Sequence, residues 1–192
     1  MKLEGKKIGF VMTGSFCMFR KTIEQLKIIK KEKAEILPVM SYNAYNLDTK
    51  FGKAQDYINE IQKISGKEVI HTIQGAEQIG RKYMTDIMII IPATGNTISK
   101  LANDIADTPA TIAVKSHLRN NLPIVIAPSA SNGLSGNAQN IGALLNRNKH
   151  YFVPFRQDNP ITKPRSIVFD SQSVIKTIEM ALDGEQIQPI IM

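Results

Sequence analysis

Cysteine occurs once in the 192 residues, at Cys17, and histidine only three times. An intramolecular disulfide is therefore excluded, a structural zinc cluster is disfavoured, and no metal ligand set is assigned. Tryptophan is absent. No apolar run reaches the roughly 20 residues needed to cross a bilayer. The opening Met1-Lys2-Leu3-Glu4-Gly5-Lys6-Lys7 lacks the apolar core and cleavage site of a secretory signal, so a cytoplasmic protein off the membrane is expected. There is no internal repeat, low-complexity tract or linker, and the length suits one domain over residues 1–192. Acidic side chains are the minority, 17 Asp+Glu against 24 Lys+Arg, for a net charge of +7. That excess permits anionic partners, but basic and aromatic residues do not interleave, and nucleic acid is not expected as a partner. The cations Lys27, Lys30, Lys31 and Lys33 fall where they complement the dipole of a first helix.

What the chain does contain is strand–turn–helix units. Ile87-Met88-Ile89-Ile90-Ile91 is a short apolar, β-branched run, the signature of a strand buried on both faces of a parallel sheet. Pro92 is expected to end it. Beyond the turn Ala93-Thr94-Gly95-Asn96-Thr97, an apolar stripe of Ile98, Leu101, Ala102, Ile105 and Ala106 predicts a helix capped by Asn96 or Thr97. Further strands are predicted at Lys7–Met12, Glu35–Met40 (an edge strand, because of Pro38), Pro123–Ala127 and Tyr151–Pro154. Helices are predicted over Met18–Lys31, Ala54–Ile64, Gly75–Met84, from Pro109 through Leu118, Ala138–Asn146 and Ser171–Leu182. Val69–Ile73 reads as extended, Tyr42–Lys53 as a polar loop and candidate lid, and the stretch up to Arg165 as irregular. The alternation predicts an α/β fold: a doubly wound parallel sheet of five to six strands, flavodoxin-like, with three Rossmann-like layers.

In such sheets ligands bind beyond the carboxyl ends of the strands. Four turns at those ends carry small polar residues: Thr13-Gly14-Ser15, Ser41, Thr94-Gly95-Asn96-Thr97, and Pro128-Ser129-Ala130-Ser131-Asn132. Gly14 permits close backbone approach, and Ser15 can donate to a phosphate beside unpaired helix N–H groups. Convergence of four such turns predicts one pocket floor.

The run from Pro92 to Asp107 resembles the PATANT signature of flavoproteins related to homo-oligomeric flavin-containing cysteine decarboxylases, with Gly95 where alanine is usual. The resemblance implies FMN as cofactor, held by Thr13, Gly14, Ser15, Ser41, Pro92, Ala93, Thr94, Asn96 and Thr97, and a homo-oligomer with sites between subunits. Two features depart from those decarboxylases. Gln78 stands eight residues before Asp86, where they place a histidine, and the loop at Pro128–Asn132 lacks the methionine of their Pro-x-Met-Asn. Within the family, a narrower likeness is to the B subunit of a two-part synthase that makes a pyridine dicarboxylate during endospore formation. It rests on Ile70–Glu77, Ala127-Pro128-Ser129, Gly133-Leu134, Asn140-Ile141-Gly142 and Tyr151–Asp158. It implies oxidation of a dihydro- or hydroxytetrahydro- precursor, in partnership with an A subunit that brings NAD(P).

A small dicarboxylate substrate asks for an arginine fork and hydroxyls. Arg156, with Ser129, Ser131 and Asn132, fits that demand, and His71 has the intrinsic pKa of an acid–base group. His71 and Arg156 are thus the catalytic candidates. His117 reads as a favourable charge late in a helix, and Cys17 as a small buried residue. Phe16, Phe19, Tyr42 and Tyr45 are the candidate walls for an isoalloxazine. Three readings stay open: an oxidoreductase subunit; a non-redox subunit that holds substrate or stabilises the A subunit; and an FMN-dependent decarboxylase or prenyl-transferring enzyme. In the absence of flavin, the same pocket suits the phosphates of a nicotinamide cofactor, or substrate alone.

Overall fold

Side chains along the central strand alternate between two helical layers, and this organises the molecule. A computed structural model describes residues 2–192. Strand β3 (Ile87–Ala93) is fully buried. Ile87, Ile89 and Ile91 pack among Phe19, Leu26, Ile58 and Ile178. Met88 and Ile90 pack among Ile98, Val114 and Ile141 on the other face. That is the period-two geometry of a strand covered on both sides. Neighbours β1 (Lys7–Met12), β2 (Glu35–Met40) and β4 (Ile124–Ala130) run parallel to it in the order β2-β1-β3-β4. Strand β4 then forks. Its first half pairs in parallel with β5 (His150–Phe152), while Ser129 and Ala130 pair antiparallel with β7 (Lys163–Phe169). Strand β7 carries β6 (Phe155–Asn159) as a hairpin at the margin. The sheet is thus mostly parallel but mixed, in a three-layer α/β architecture.

Helices α1 (Phe19–Lys31), α3 (Ala54–Ser65) and α8 (Val174–Leu182) cover one face. Helices α4 (Ile73–Arg81), α5 (Gly95–Ala102), α6 (Pro109–Leu118) and α7 (Ala138–Leu145) cover the other. A further short helix, α2 (Tyr42–Asn46), follows β2. Strand β2 is the edge that Pro38 predicts. Its outer side meets only a single bridge, Val39 to Ile70, and the Pro38 carbonyl accepts from Ile70 N at 2.9 Å. The missing proline N–H therefore faces outward and costs the β1 ladder nothing.

Several expectations change. Pro92 does not end β3; the strand continues through it to Ala93, with a register slip between Ile90 and Ala93. The slip is visible in packing, since Ile91 and Ala93 share parity yet face opposite layers. A proline is tolerated at such an irregularity. Helix α5 is capped by Thr94, not by Asn96 or Thr97, and it stops at Ala102, leaving Ile105 48% exposed outside it. Tyr42–Lys53 is not wholly loop, because Ser41 caps α2. The stretch read as irregular is the β6–β7 hairpin, so the sheet among the described residues has seven strands rather than five to six. His117 is not a solvated helix-end charge. It is fully buried, with Thr85 Oγ1 at 2.8 Å from Nδ1 and Pro123 O at 2.9 Å from Nε2, and burial holds its pKa below the usual imidazole range. Cys17 is exposed rather than buried, on a 3-10 turn over Phe16–Met18.

Candidate functional site

The carboxyl ends of β1, β3 and β4 lie side by side in the sheet, so their turns are brought together by the strand order alone. Thr13 joins the first two. Its side chain is 1% exposed, and the hydroxyl donates to Pro92 O at 2.6 Å and accepts from Thr94 N at 3.1 Å. Ser15 joins the first and third, with Oγ 2.9 Å from Ser129 Oγ. Thr94 accepts from Thr97 N at 3.2 Å as the cap of α5. The Gly95 and Asn96 N–H groups, one residue into the helix, find no acceptor among the described residues. Both residues line an open depression of about 750 Å³, a size suited to a mononucleotide or a drug-sized ligand.

Gly14, Ser15, Thr94, Asn96, Ser129, Ser131 and Asn132 line that depression together. Other expected residues do different work. The Thr13 hydroxyl is spent on tying two turns. Pro92, Ala93 and Thr97 are buried, and the Thr97 hydroxyl lies 3.0 Å from that of Thr94. Ser41 caps α2, accepting from Ala44 N at 3.4 Å, one strand outside the lining residues. His71 lies outside them too, stacked on Tyr45 with centroids 3.8 Å apart and Nδ1 3.2 Å from Val69 O. Arg156 is exposed on β6, at the far margin. Between the segment carrying His71 and β6 lie six ladder steps of about 4.8 Å each. One chain does not bring His71 and Arg156 together.

Residues that the sequence did not assign to the pocket complete the rim. Cys17, Met18 and Lys21 come from the first turn and helix, and Asp158, Lys163, Ser166, Ile167 and Val168 from the hairpin. The Lys163 ammonium donates to Asp158 at 2.7 Å, and that hydrogen bond raises its pKa above the ordinary lysine range. Lys21 has no acidic partner within ion-pair distance among the described residues. The depression therefore presents hydroxyls, free N–H groups and a solvated cation, a donor set that suits an oxyanion. A phosphate-bearing cofactor fits this end. The aromatic walls expected for a flavin ring do not line it: Phe19 is 1% exposed in the core, edge-on to Tyr57, Phe16 packs on Phe19, Tyr45 is engaged by His71, and Tyr42 is 42% exposed elsewhere. Met18, Ile167 and Val168 supply the apolar surface instead.

A second cavity of about 560 Å³ has an apolar floor including Leu101, Ile105 and Leu118, with Arg81, Lys115 and Arg119 around it. It shares no residue with the first and gathers none of the strand-end turns.

Comparison with known proteins fits this geometry. Residues 1–179 match the family described as Flavoprotein. The chain is 39% identical over 190 residues to the B subunit of dipicolinate synthase from Bacillus subtilis strain 168, covering 99% of this chain and 95% of the relative. The crystal structure of the dipicolinate synthase B subunit from Bacillus halodurans superposes with a TM-score of 0.92 at 37% identity, over 100% of this chain and 98% of that one. An FMN-dependent cysteine decarboxylase shares the fold at a TM-score of 0.69 and 20% identity, over 95% and 99% of the two chains. No helix among the described residues is long and apolar enough to cross a membrane. On the match over nearly its whole length, the chain belongs to the flavoprotein family.

Proposed function

We propose that the chain acts in the cytoplasm as the B subunit of a dipicolinate synthase, working with the A subunit to oxidise a dihydro- or hydroxytetrahydrodipicolinate precursor to dipicolinate in endospore formation. The observation that carries this reading is the single depression in which the turns after β1, β3 and β4 meet, with Ser15 and Ser129 in hydrogen-bond contact at 2.9 Å beside the start of α5. The 39% identity over almost the full length of a dipicolinate synthase component supports the substrate class.

Ser15, with the Gly95 and Asn96 N–H groups, would hold the phosphate of FMN; when bound, the flavin would supply a two-electron acceptor. Ser129, Ser131 and Asn132 lie on the β4 side of the same floor, where they can bind and orient a substrate carboxylate. Lys21 adds positive charge at the mouth, which attracts a dianion. Aromatisation of a dihydro precursor removes two electrons and two protons; a hydroxytetrahydro precursor also loses one water. NAD(P) held by the A subunit would be the final acceptor for those electrons. His71 lies outside the depression beyond β2, and a homo-oligomer with sites between subunits would let it reach the depression of a neighbouring copy; Arg156 pairs with Val168 on the hairpin that forms the rim.

A second reading, a non-redox component that binds substrate or stabilises the A subunit, is favoured by the absence of Phe16, Phe19, Tyr42 and Tyr45 from the depression's lining. An FMN-dependent decarboxylase is disfavoured by Gln78 on α4 in place of a histidine. The test is reconstitution: the chain, the A subunit, precursor and NAD(P), followed by dipicolinate absorbance and nicotinamide reduction. Turnover that needs both proteins is expected. The same rate without this chain overturns the proposal.

A further inference from the structure

Ile105 stands in water beside the second cavity, 48% exposed on the segment between α5 and α6. That segment has little freedom. Lys100 Nζ reaches Asp107 Oδ1 across it at 2.6 Å, and Arg147 Nη1 holds Asp104 Oδ1 at 2.9 Å. Arg147 also donates to the carbonyls of Leu101 and Ala102 at 3.1 and 2.7 Å, so its fork is spent on the end of α5. Ile105 N donates to Lys100 O at 2.9 Å, and Asp104 takes a left-handed backbone, φ 56°, that turns the chain. Two ion pairs and a helix end thus hold an isoleucine out of the core.

The facing wall is pinned as well. Ser116 Oγ donates to Glu77 O at 2.9 Å and accepts from Gly80 N at 2.8 Å, and Asn120 Nδ2 donates to Gly80 O at 2.8 Å. These bonds lock α4 to α6. With both walls fixed, the floor of Leu101, Ile112 and Leu118 cannot close on itself, and the cavity is formed before any ligand arrives. Its charge is one-sided. Arg81, Lys115 and Arg119 line it with no acidic partner within ion-pair distance among the described residues. Against them stand Asp104, already held by Arg147, and Glu77. His150 adds no charge near neutral pH, because burial keeps its imidazole below the ordinary range. A volume of about 560 Å³ suits one small molecule. A second copy meeting this face across a two-fold would set the same cations against these.

We propose that the groove between α4, α6 and the α5–α6 segment is a second ligand site, which takes an amphipathic anion: an aryl or alkyl carboxylate whose body lies on Leu101, Ile105 and Leu118 and whose head meets Arg81, Lys115 and Arg119. It is separate from the strand-end depression. Leu101 lies six residues along α5 from Gly95, about 9 Å at 1.5 Å per residue, and the two cavities share no lining residue. Its occupancy does not depend on what the depression binds.

The probe 8-anilinonaphthalene-1-sulfonate carries such a body and an anionic head, and it fluoresces on leaving water. N-phenyl-1-naphthylamine is the same ring system without the sulfonate. Titration of the whole chain should give one sulfonate probe bound per chain, displaced by decanoate, with the neutral probe bound more weakly. A Lys115→Gln, Arg119→Gln double variant should weaken the sulfonate roughly fivefold or more and the neutral probe less than about twofold. Ile105→Asp should weaken both. The replaced side chains are all exposed, so melting temperatures should stay near that of the wild type. Two arms need only the wild-type chain. Sulfonate that FMN displaces sits in the strand-end depression and overturns the proposal, and so does sulfonate that decanoate leaves in place. A preference for the sulfonate that survives undiminished in the double variant, or no probe binding at all, overturns it too. A change of sedimenting mass in the double variant makes this face a contact between copies and overturns the ligand site.

Discussion

Replacing Thr13 by valine removes one hydroxyl that two turns share. The side chain is 1% exposed, and its Oγ1 donates to Pro92 O at 2.6 Å and accepts from Thr94 N at 3.1 Å. Both backbone groups lie at the β3–α5 junction, and valine satisfies neither. Each hydrogen bond is worth about 1 kcal/mol net, and stranding a buried partner adds about 1–3 kcal/mol. A loss of about 3 kcal/mol follows, which for a chain of this length is roughly 6–12 °C in melting temperature. Thr13→Ser keeps both bonds and gives up one methyl group, costing about 1 kcal/mol. Urea and thermal unfolding of the three proteins should therefore rank wild type above Thr13→Ser above Thr13→Val, with about 2 kcal/mol between the variants. A valine variant as stable as the serine variant refutes the bridging role. If it then binds FMN more weakly, Thr13 is a ligand contact, as the sequence alone suggests.

Gly80→Ala places a Cβ 1.9 Å from Ser116 O, a backbone atom, so α4 and α6 must separate; a loss of about 3 kcal/mol or more is expected in the same unfolding assay. Burial holds the His117 imidazole below its usual range, so the folded state keeps it neutral. Its contribution is complete above the unfolded pKa of about 6.5 and is lost as pH falls from there towards the depressed folded value. His150 shifts in the same direction, again chiefly through burial. Stability should thus fall between pH 7 and pH 5, with a shallower slope in His117→Gln; an unchanged slope contradicts the assignment. Ser15→Ala removes a half-buried hydroxyl whose partners are Ser129 Oγ at 2.9 Å and, more weakly, Cys17 Sγ at 3.9 Å. It should leave the melting temperature nearly unchanged while weakening FMN roughly tenfold by calorimetry.

Strands buried on both faces announce themselves in sequence, which is why β1 and β3 are legible from Ile8–Met12 and Ile87–Ile91. The hairpin does not. Arg156–Asn159 and Lys163–Arg165 are exposed, and a strand wet on both sides carries no alternation to read. His117 misleads for a related reason. Helix α6 is buried around much of its circumference, so its weak amphipathicity gives no hint that position 117 points inward at Thr85 and Pro123. The turns after β1, β3 and β4 are legible as strand-end turns from the β/α alternation, but the expected fourth, at Ser41, caps α2 outside the depression. Which hydroxyl faces the cavity is not legible: Thr13, Thr97 and Ser15 look alike in sequence, and only Ser15 lines the depression. The 3-10 turn at Phe16–Met18, which brings Cys17 to the surface, has no sequence signal of its own.

The central claim is that the turns after β1, β3 and β4 form one floor that binds an anionic cofactor. Titration of the purified chain with FMN, followed by the visible flavin bands and quenching of flavin fluorescence, tests it most directly. Saturable one-to-one binding that inorganic phosphate competes away is the predicted result. Protein that stays colourless and leaves FMN fluorescence untouched at millimolar concentration would contradict it.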